Sequence, residues 1–178
     1  MRSLGRLAVS LSVLLLAALP SRAFATEHQT FAGATLGYAY LDEHYQWFSG
    51  FGGIGEVRYG LNDAVDLEFD ASAYAYPTGR QIVPSTSAGL MYVFDVSHFI
   101  PQVGATMGLA DVITYSCPKD QRPCGHELHA ALSLPGSFDY RITRHLSLGA
   151  HFRYTFLFGH GASSQITIGG ALAFSTAP

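Results

Sequence analysis

Apolar and polar residues alternate with a period of two along almost the whole chain beyond its first 25 residues, most plainly in the last stretch, Gln165 to Phe174. There Ile166, Ile168, Gly170, Leu172 and Phe174 share one face, and Gln165, Thr167, Gly169, Ala171 and Ala173 the other, with no charge on either. A period of two is that of a β-strand, whose successive side chains point to opposite faces. An uncharged strand left at a sheet edge would template aggregation, so the rest of the chain has to cover it.

Seven earlier segments repeat the pattern. The first strand, Phe31 to Leu41, sets Ala32, Ala34, Leu36, Tyr38 and Tyr40 against Gly33, Thr35, Gly37 and Ala39. The second, Gly50 to Leu61, sets Phe51, Gly53, Gly55, Val57 and Tyr59 against Ile54, Glu56 and Arg58, so charge enters on one face only. Asn62-Asp63 predicts a tight two-residue turn into the third strand, Ala64 to Tyr76, with Asp66, Glu68, Asp70, Ser72 and Tyr74 on the charged face. Pro77 to Arg80 interrupts the pattern, and a fourth strand runs from Ser85 to Val96. Ser97-His98 turns into the fifth, Phe99 to Ile113, which the longest insertion, Thr114 to Gly125, separates from the sixth, His126 to Arg141. Thr143-Arg144 leads into the seventh, which alternates Leu146 to Phe158 against Ser147, His151, Arg153 and Thr155, and Gly159 to Ala162 leads into the eighth.

Eight strands of about 10 to 15 residues, joined by connections that alternate short and long, predict an all-β, eight-stranded antiparallel up-and-down transmembrane β-barrel. An even count brings both ends to the same side, here expected to be the periplasm. Aromatic residues predict two girdles: Tyr59, Phe94, Phe99, Phe138, Tyr140 and Phe174 near the short turns, and Tyr38, Tyr40, Phe48, Tyr74, Tyr76, Tyr115, Phe156 and Phe158 near the long connections. A soluble barrel would put the apolar face inside and would have to stay dissolved on very few charges.

Composition narrows the compartment. Charged residues make up 13% of the chain, about half the globular norm. Arg2 and Arg6 precede the apolar run Leu7 to Leu19, and Ala23-Phe24-Ala25 has the form of a cleavage site, so residues 1–25 read as a secretory signal peptide and 26–178 as the barrel domain. The run is too short for a retained bilayer-spanning helix. Beyond it, 7 Lys and Arg face 13 Asp and Glu, a balance that excludes a basic surface for nucleic acid. The expected partners are outer-membrane lipid and, for the exposed connections, an extracellular ligand.

The strand pairs GFGGIGEVRYGLNDAVDLEF and RITRHLSLGAHFRYTF, with the end of the chain, resemble the OmpA-like eight-stranded outer-membrane β-barrels of the OmpA/OmpX type. Their closing strand reads polar, any, Gly, two of any kind, apolar, any, aromatic, a pattern that Thr167, Gly169, Leu172 and Phe174 fit. The resemblance implies recognition by the outer-membrane assembly machinery of Gram-negative bacteria. Members usually end on the aromatic, whereas four residues follow here. The length leaves no room for the peptidoglycan-binding domain of many relatives.

Candidate chemistry collects on the inward face: Glu56, Arg58, Asp66, Glu68, Asp70, His129, Asp139, Arg141, His151 and Arg153. An eight-stranded barrel is just wide enough to be filled by side chains, so these predict a closed polar lumen in which Arg58 and Arg153 offset the acidic row of the third strand. A cation path or proton relay is the functional alternative. Cys117 and Cys124, the two cysteines of an exported chain, predict one disulfide in the longest connection, worth about 2 kcal/mol. With His126 alone beside them they make no zinc site, and no cofactor is expected. His160 with Ser163 or Ser164 is the candidate for lipid A hydrolysis or acyl transfer, but no acidic residue lies nearby on the same strand. Tyr45, Trp47, Tyr76, Tyr115, Lys119 and Arg122 are candidates for a binding surface. A structural or surface-contact role without catalysis is the primary expectation.

Overall fold

The structure, a computed structural model, describes residues 28–43, 46–94, 98–115, 125–159 and 162–176. Eight strands, β1 (Thr30–Glu43), β2 (Gln46–Gly60), β3 (Val65–Tyr76), β4 (Gln81–Val93), β5 (Phe99–Thr114), β6 (His126–Arg141), β7 (Leu146–Phe158) and β8 (Ala162–Ser175), pair in sequence order. Every pair is antiparallel, and β8 returns to β1 to close the barrel. The first and last strands therefore cover each other's edges, and no strand keeps an open row of backbone groups.

Register fixes the shape. From Phe31 the partners run through Arg58, Glu68, Gly89, Thr106, Ser133, Thr155 and Gln165, and return to β1 at Leu41, ten residues beyond the start. A stagger of this kind goes with strands tilted by roughly 35–45° from the axis. The start of β1, the end of β8 and the strand ends at β2–β3, β4–β5 and β6–β7 lie at one rim, called the terminal rim below. The strand ends at β1–β2, β3–β4, β5–β6 and β7–β8 lie at the other, the loop rim.

Period-two alternation sets the two faces as the sequence predicts. Leu36, Phe51, Phe69, Met107, Leu132 and Ile168 point outward and are exposed, whereas Glu56, Asp66, Glu68, Asp70 and Asp139 point inward and are at most 8% exposed. A soluble barrel has the opposite arrangement, so the outer face is built for lipid and the fold is a transmembrane β-barrel. At the terminal rim Tyr92 packs edge-on against Phe94 at 4.7 Å, and Phe99 lies 5.4 Å from Phe138 and 5.2 Å from Tyr140. Toward the loop rim Tyr38, Tyr40, Trp47, Phe51, Phe156 and Phe158 are exposed. Tyr74 and Tyr76 do not join this second girdle: both are inside the barrel, at 2% and 0% exposure, and Phe48 packs beside them. Their parity decides it, because Tyr74 and Tyr76 continue the inward row of Asp66, Glu68 and Asp70.

Three boundaries differ from the sequence reading. The expected connection Asp42 to Phe48 is mostly strand, since pairing persists to Glu43 opposite Gln46. Strand β4 starts at Gln81 rather than Ser85 and carries Pro84, which has no N–H to donate; its pairing to β5 lapses between Ile82 and Ser85. Pairing of β5 to β6 lapses likewise opposite Pro135. The β2–β3 turn spans 61–64 rather than two residues. There Asn62 Oδ1 accepts from the amides of Ala64 and Val65, both at 2.9 Å. The β6–β7 turn repeats the device, with Thr143 Oγ1 accepting from His145 and Leu146 at 3.2 and 3.1 Å. Consequently only the connection 115–125 is much longer than the terminal-rim turns, and long and short connections do not alternate.

Candidate functional site: the filled lumen

Inward side chains form two ion clusters. Arg58 on β2 lies 3.4 Å from Glu56 and 3.7 Å from Asp139 and donates to the side-chain carbonyl of Gln102. Gln102 in turn donates to Asp139 at 3.3 Å, and the Phe31 ring sits 5.5 Å from the Arg58 guanidinium. Gly149, across the β6–β7 pair, leaves the space into which the Asp139 carboxyl folds. Arg153 on β7 forms the second cluster, donating to Asp70 at 2.7 Å and to Glu68 at 3.0 Å. Ser87 links it outward, donating to Asp70 at 2.5 Å, with Thr106 3.0 Å away.

Arg153 makes the direct hydrogen bonds to Glu68 and Asp70 of β3, while the close contacts of Arg58 go to its own strand and to β6, and its charge reaches Asp66 and Glu68 of β3 through space. The reason is reach: Arg153 and Asp70 face each other across the bore although 83 residues separate them in sequence. Asp66, the remaining acid of β3, is 1% exposed, and its Oδ1 has no hydrogen-bond partner among the described residues. Arg141 is only half-buried, at the terminal rim. His151 is buried beside the clusters, and neither ring nitrogen has a hydrogen-bond partner among the described residues. His129 belongs elsewhere, at the loop end, 3.7 Å from Glu127 and packed against Gly159.

Between the two ends the lumen changes character. A hydroxyl level, with Ser72 and Ser85 2.6 Å apart and Ser133 and Thr155 2.8 Å apart, lies above the ion clusters. Next comes an apolar layer of Leu41, Ile54, Tyr74, Tyr76, Val83 and Leu157. Strand β2 makes room for its two rings: a Cβ at Gly52 would lie 2.8 Å from the Tyr74 ring, and one at Gly50 2.7 Å from the Tyr76 ring. At the loop rim Gln81 donates to Glu43 at 2.7 Å across the mouth. The interior is therefore polar in its terminal half and carries an apolar layer in its loop half, with Gln81, His129 and Gln165 as buried polar residues there. Sequence reasoning missed this layer, although Leu41, Ile54, Tyr74 and Leu157 all carry inward parity and were readable as such. It missed Gln102 and Thr106 for want of charge.

Other predicted residues fall as follows. Thr167 is buried in the lumen, Gly169 lies against the backbone of Leu36, and Leu172 and Phe174 face outward. Ser163 and Ser164 are half-buried in β8, and Asp42 on β1 is the register partner of Ser164. Trp47 and Tyr115 are exposed, whereas Tyr76 is fully buried and presents nothing to a partner. Tyr45, Cys117, Lys119, Arg122, Cys124 and His160 lie outside the described residues. Among the described residues no three His, Cys, Asp or Glu side chains are grouped to hold a metal ion.

No protein-family model matches the chain, and no curated protein sequence matches it. Solved structures do. Neisserial surface protein A superposes with a TM-score of 0.71 at 17% identity, covering 82% of this chain and 96% of that one. Ail, the attachment invasion locus protein of Yersinia pestis, gives 0.57 at 12% identity, with 84% and 99% covered. The N-terminal β-barrel domain of Pseudomonas aeruginosa OprF gives 0.54 at 17% identity, with 84% and 98% covered. At such identities the likeness shows the fold, which is that of the eight-stranded outer-membrane barrels.

Proposed function

We propose that this chain is an outer-membrane protein of a Gram-negative bacterium, inserted in lipid after loss of residues 1–25, with both barrel ends in the periplasm. Its role is structural or one of surface contact, without catalysis and without an open pore. The observation that carries this reading is the plugged lumen: Tyr74, Tyr76, Leu41, Val83 and Leu157 pack across the bore above two guanidinium–carboxylate clusters. An apolar constriction of this kind also repels ions by dewetting. The connection 115–125 is the element with length to spare for contact outside the cell, and a disulfide between Cys117 and Cys124 would stiffen it. Two of the similar barrels are named for the cell surface and for attachment and invasion, which supports the same type of role.

Planar-bilayer recording of the refolded protein tests the pore claim: no unitary current steps are expected, and regular steps would overturn it. One observation favours a second reading, a lipid A-modifying enzyme. Asp42 stands opposite Ser164 at the loop rim, and Asp42 Oδ1 has no hydrogen-bond partner among the described residues. Mass spectrometry of lipid A from cells with and without the gene separates the two; an unchanged acyl pattern is expected, and a change abolished by Ser164→Ala would establish the enzyme.

A further inference from the structure

Four side chains line up in one row on the outer face at the loop rim. Phe156 on β7 is the register partner of Ser164 on β8, Ser164 that of Asp42 on β1, and Asp42 that of Trp47 on β2. Their chain neighbours Leu157, Gln165 and Leu41 are buried in the lumen and Phe48 packs against the core, so alternation turns all four outward. Trp47 is 61% and Phe156 37% exposed, with Asp42 and Ser164 half-buried between them. Cross-strand partners on one face stand about 5 Å apart, so the row is a single surface about 15 Å long.

Asp42 is the charge in this row, and its Oδ1 is buried without a hydrogen-bond partner among the described residues. The adjoining row, Tyr154, Ile166, Tyr40 and Ser49, adds no charge. A carboxylate set among aromatic side chains is costly until donors reach it. Its surroundings select the donor. A phosphate would meet Asp42 with no arginine or lysine in either row to hold it. A lone amine would use the carboxylate and leave Ser164 and both rings without a role. A sugar fits all four: its hydroxyl and amide groups donate to a carboxylate, and its C–H faces lie on the negative faces of aromatic rings. The aromatic belt around the row marks the level of lipid headgroups.

We propose that the row Phe156, Ser164, Asp42 and Trp47 is a docking site for the sugar headgroup of an outer-leaflet glycolipid. Asp42 accepts hydrogen bonds from ring hydroxyl or amide groups, Ser164 adds one more, and Trp47 and Phe156 flank the rings. The site rests on the proposed orientation, which puts the loop rim at the outer leaflet. It breaks no bond in the lipid, so it belongs to a barrel without catalysis.

Trp47 is the single tryptophan of the chain and stands in the row, so its emission reports occupancy. The whole barrel, folded in zwitterionic detergent, is titrated in EDTA with lipid A, an acylated glucosamine disaccharide, and separately with phosphatidylglycerol and phosphatidylethanolamine. Lipid A should shift the emission in a saturable way, and the two phospholipids should not. Asp42→Ala should raise the half-saturating concentration of lipid A about tenfold. Glu43→Gln, at the neighbouring acid that bonds to Gln81 across the mouth, should leave it unchanged. An equal response to either phospholipid, a response that appears only when magnesium replaces EDTA, or one that survives Asp42→Ala overturns the site. Should Asp42→Ala fail to fold, Ser164→Ala takes its place: a rise of about threefold is expected, and an unchanged titration overturns the site. Absence of heat-modifiable migration in every lipid refutes the membrane reading itself, whereas a heat-modifiable barrel blind to lipid A refutes the docking site alone.

Discussion

Arg153 shows how much of the interior depends on single side chains. Its guanidinium is 4% exposed and bonds to both Glu68 and Asp70. Arg153→Met would leave two carboxylates facing each other in a dry bore, and the expected loss is about 3–5 kcal/mol in urea unfolding from micelles. Replacing all three together, Arg153→Met with Glu68→Leu and Asp70→Leu, should recover most of that loss, because an apolar filling of similar volume avoids desolvating the ions. Smallness matters as much as charge. Gly52→Ala would set a methyl against the Tyr74 ring and the carbonyl of Ala73, and a cost of about 1–3 kcal/mol is expected by the same measurement. The identity of the charged inward residues was legible from parity alone. Their partners were not, since pairs such as Arg153 with Asp70 are chosen by the diameter and stagger of the closed barrel, which no local pattern encodes.

Among the elements, β8 carries the heaviest duty, and its two faces divide the work. Thr167 and Ala171 pack inward, and Ile168, Leu172 and Phe174 meet lipid. The alternation predicted this split residue by residue because an uncharged strand with period two has only one way to sit between a filled lumen and a bilayer. Phe174→Ser should leave the folded barrel nearly as stable in detergent yet slow its accumulation in the membrane, read as a smaller fraction of heat-modifiable protein in cells at equal synthesis. Strand ends were harder to see than strands. Asp42, Glu43, Gln46 and Trp47 look like a polar and aromatic loop, yet backbone pairing carries them past the apolar band. Pro84 sits within β4, because a barrel tolerates a missing donor where the ladder to β5 lapses.

At the scale of the whole molecule, the outer face, the ion clusters and the apolar plug follow from one rule, the alternation of faces, applied eight times around a circle. The rule shows why the barrel belongs in a membrane. The circle itself has a further meaning. At the seam the amide of Thr30 bonds to Thr176 Oγ1 at 3.1 Å and the amide of Thr176 to the carbonyl of Thr30 at 2.9 Å, so the two ends of the barrel touch. Geometrically the chain has no privileged start. A circular permutant that joins Thr176 to Thr30 through a short linker and opens between β5 and β6 is expected to refold in detergent to a heat-modifiable barrel. In cells the same permutant should fail to insert, because the pattern from Thr167 to Phe174 would no longer end the chain. The contrast would separate what the sheet requires from what the cell reads.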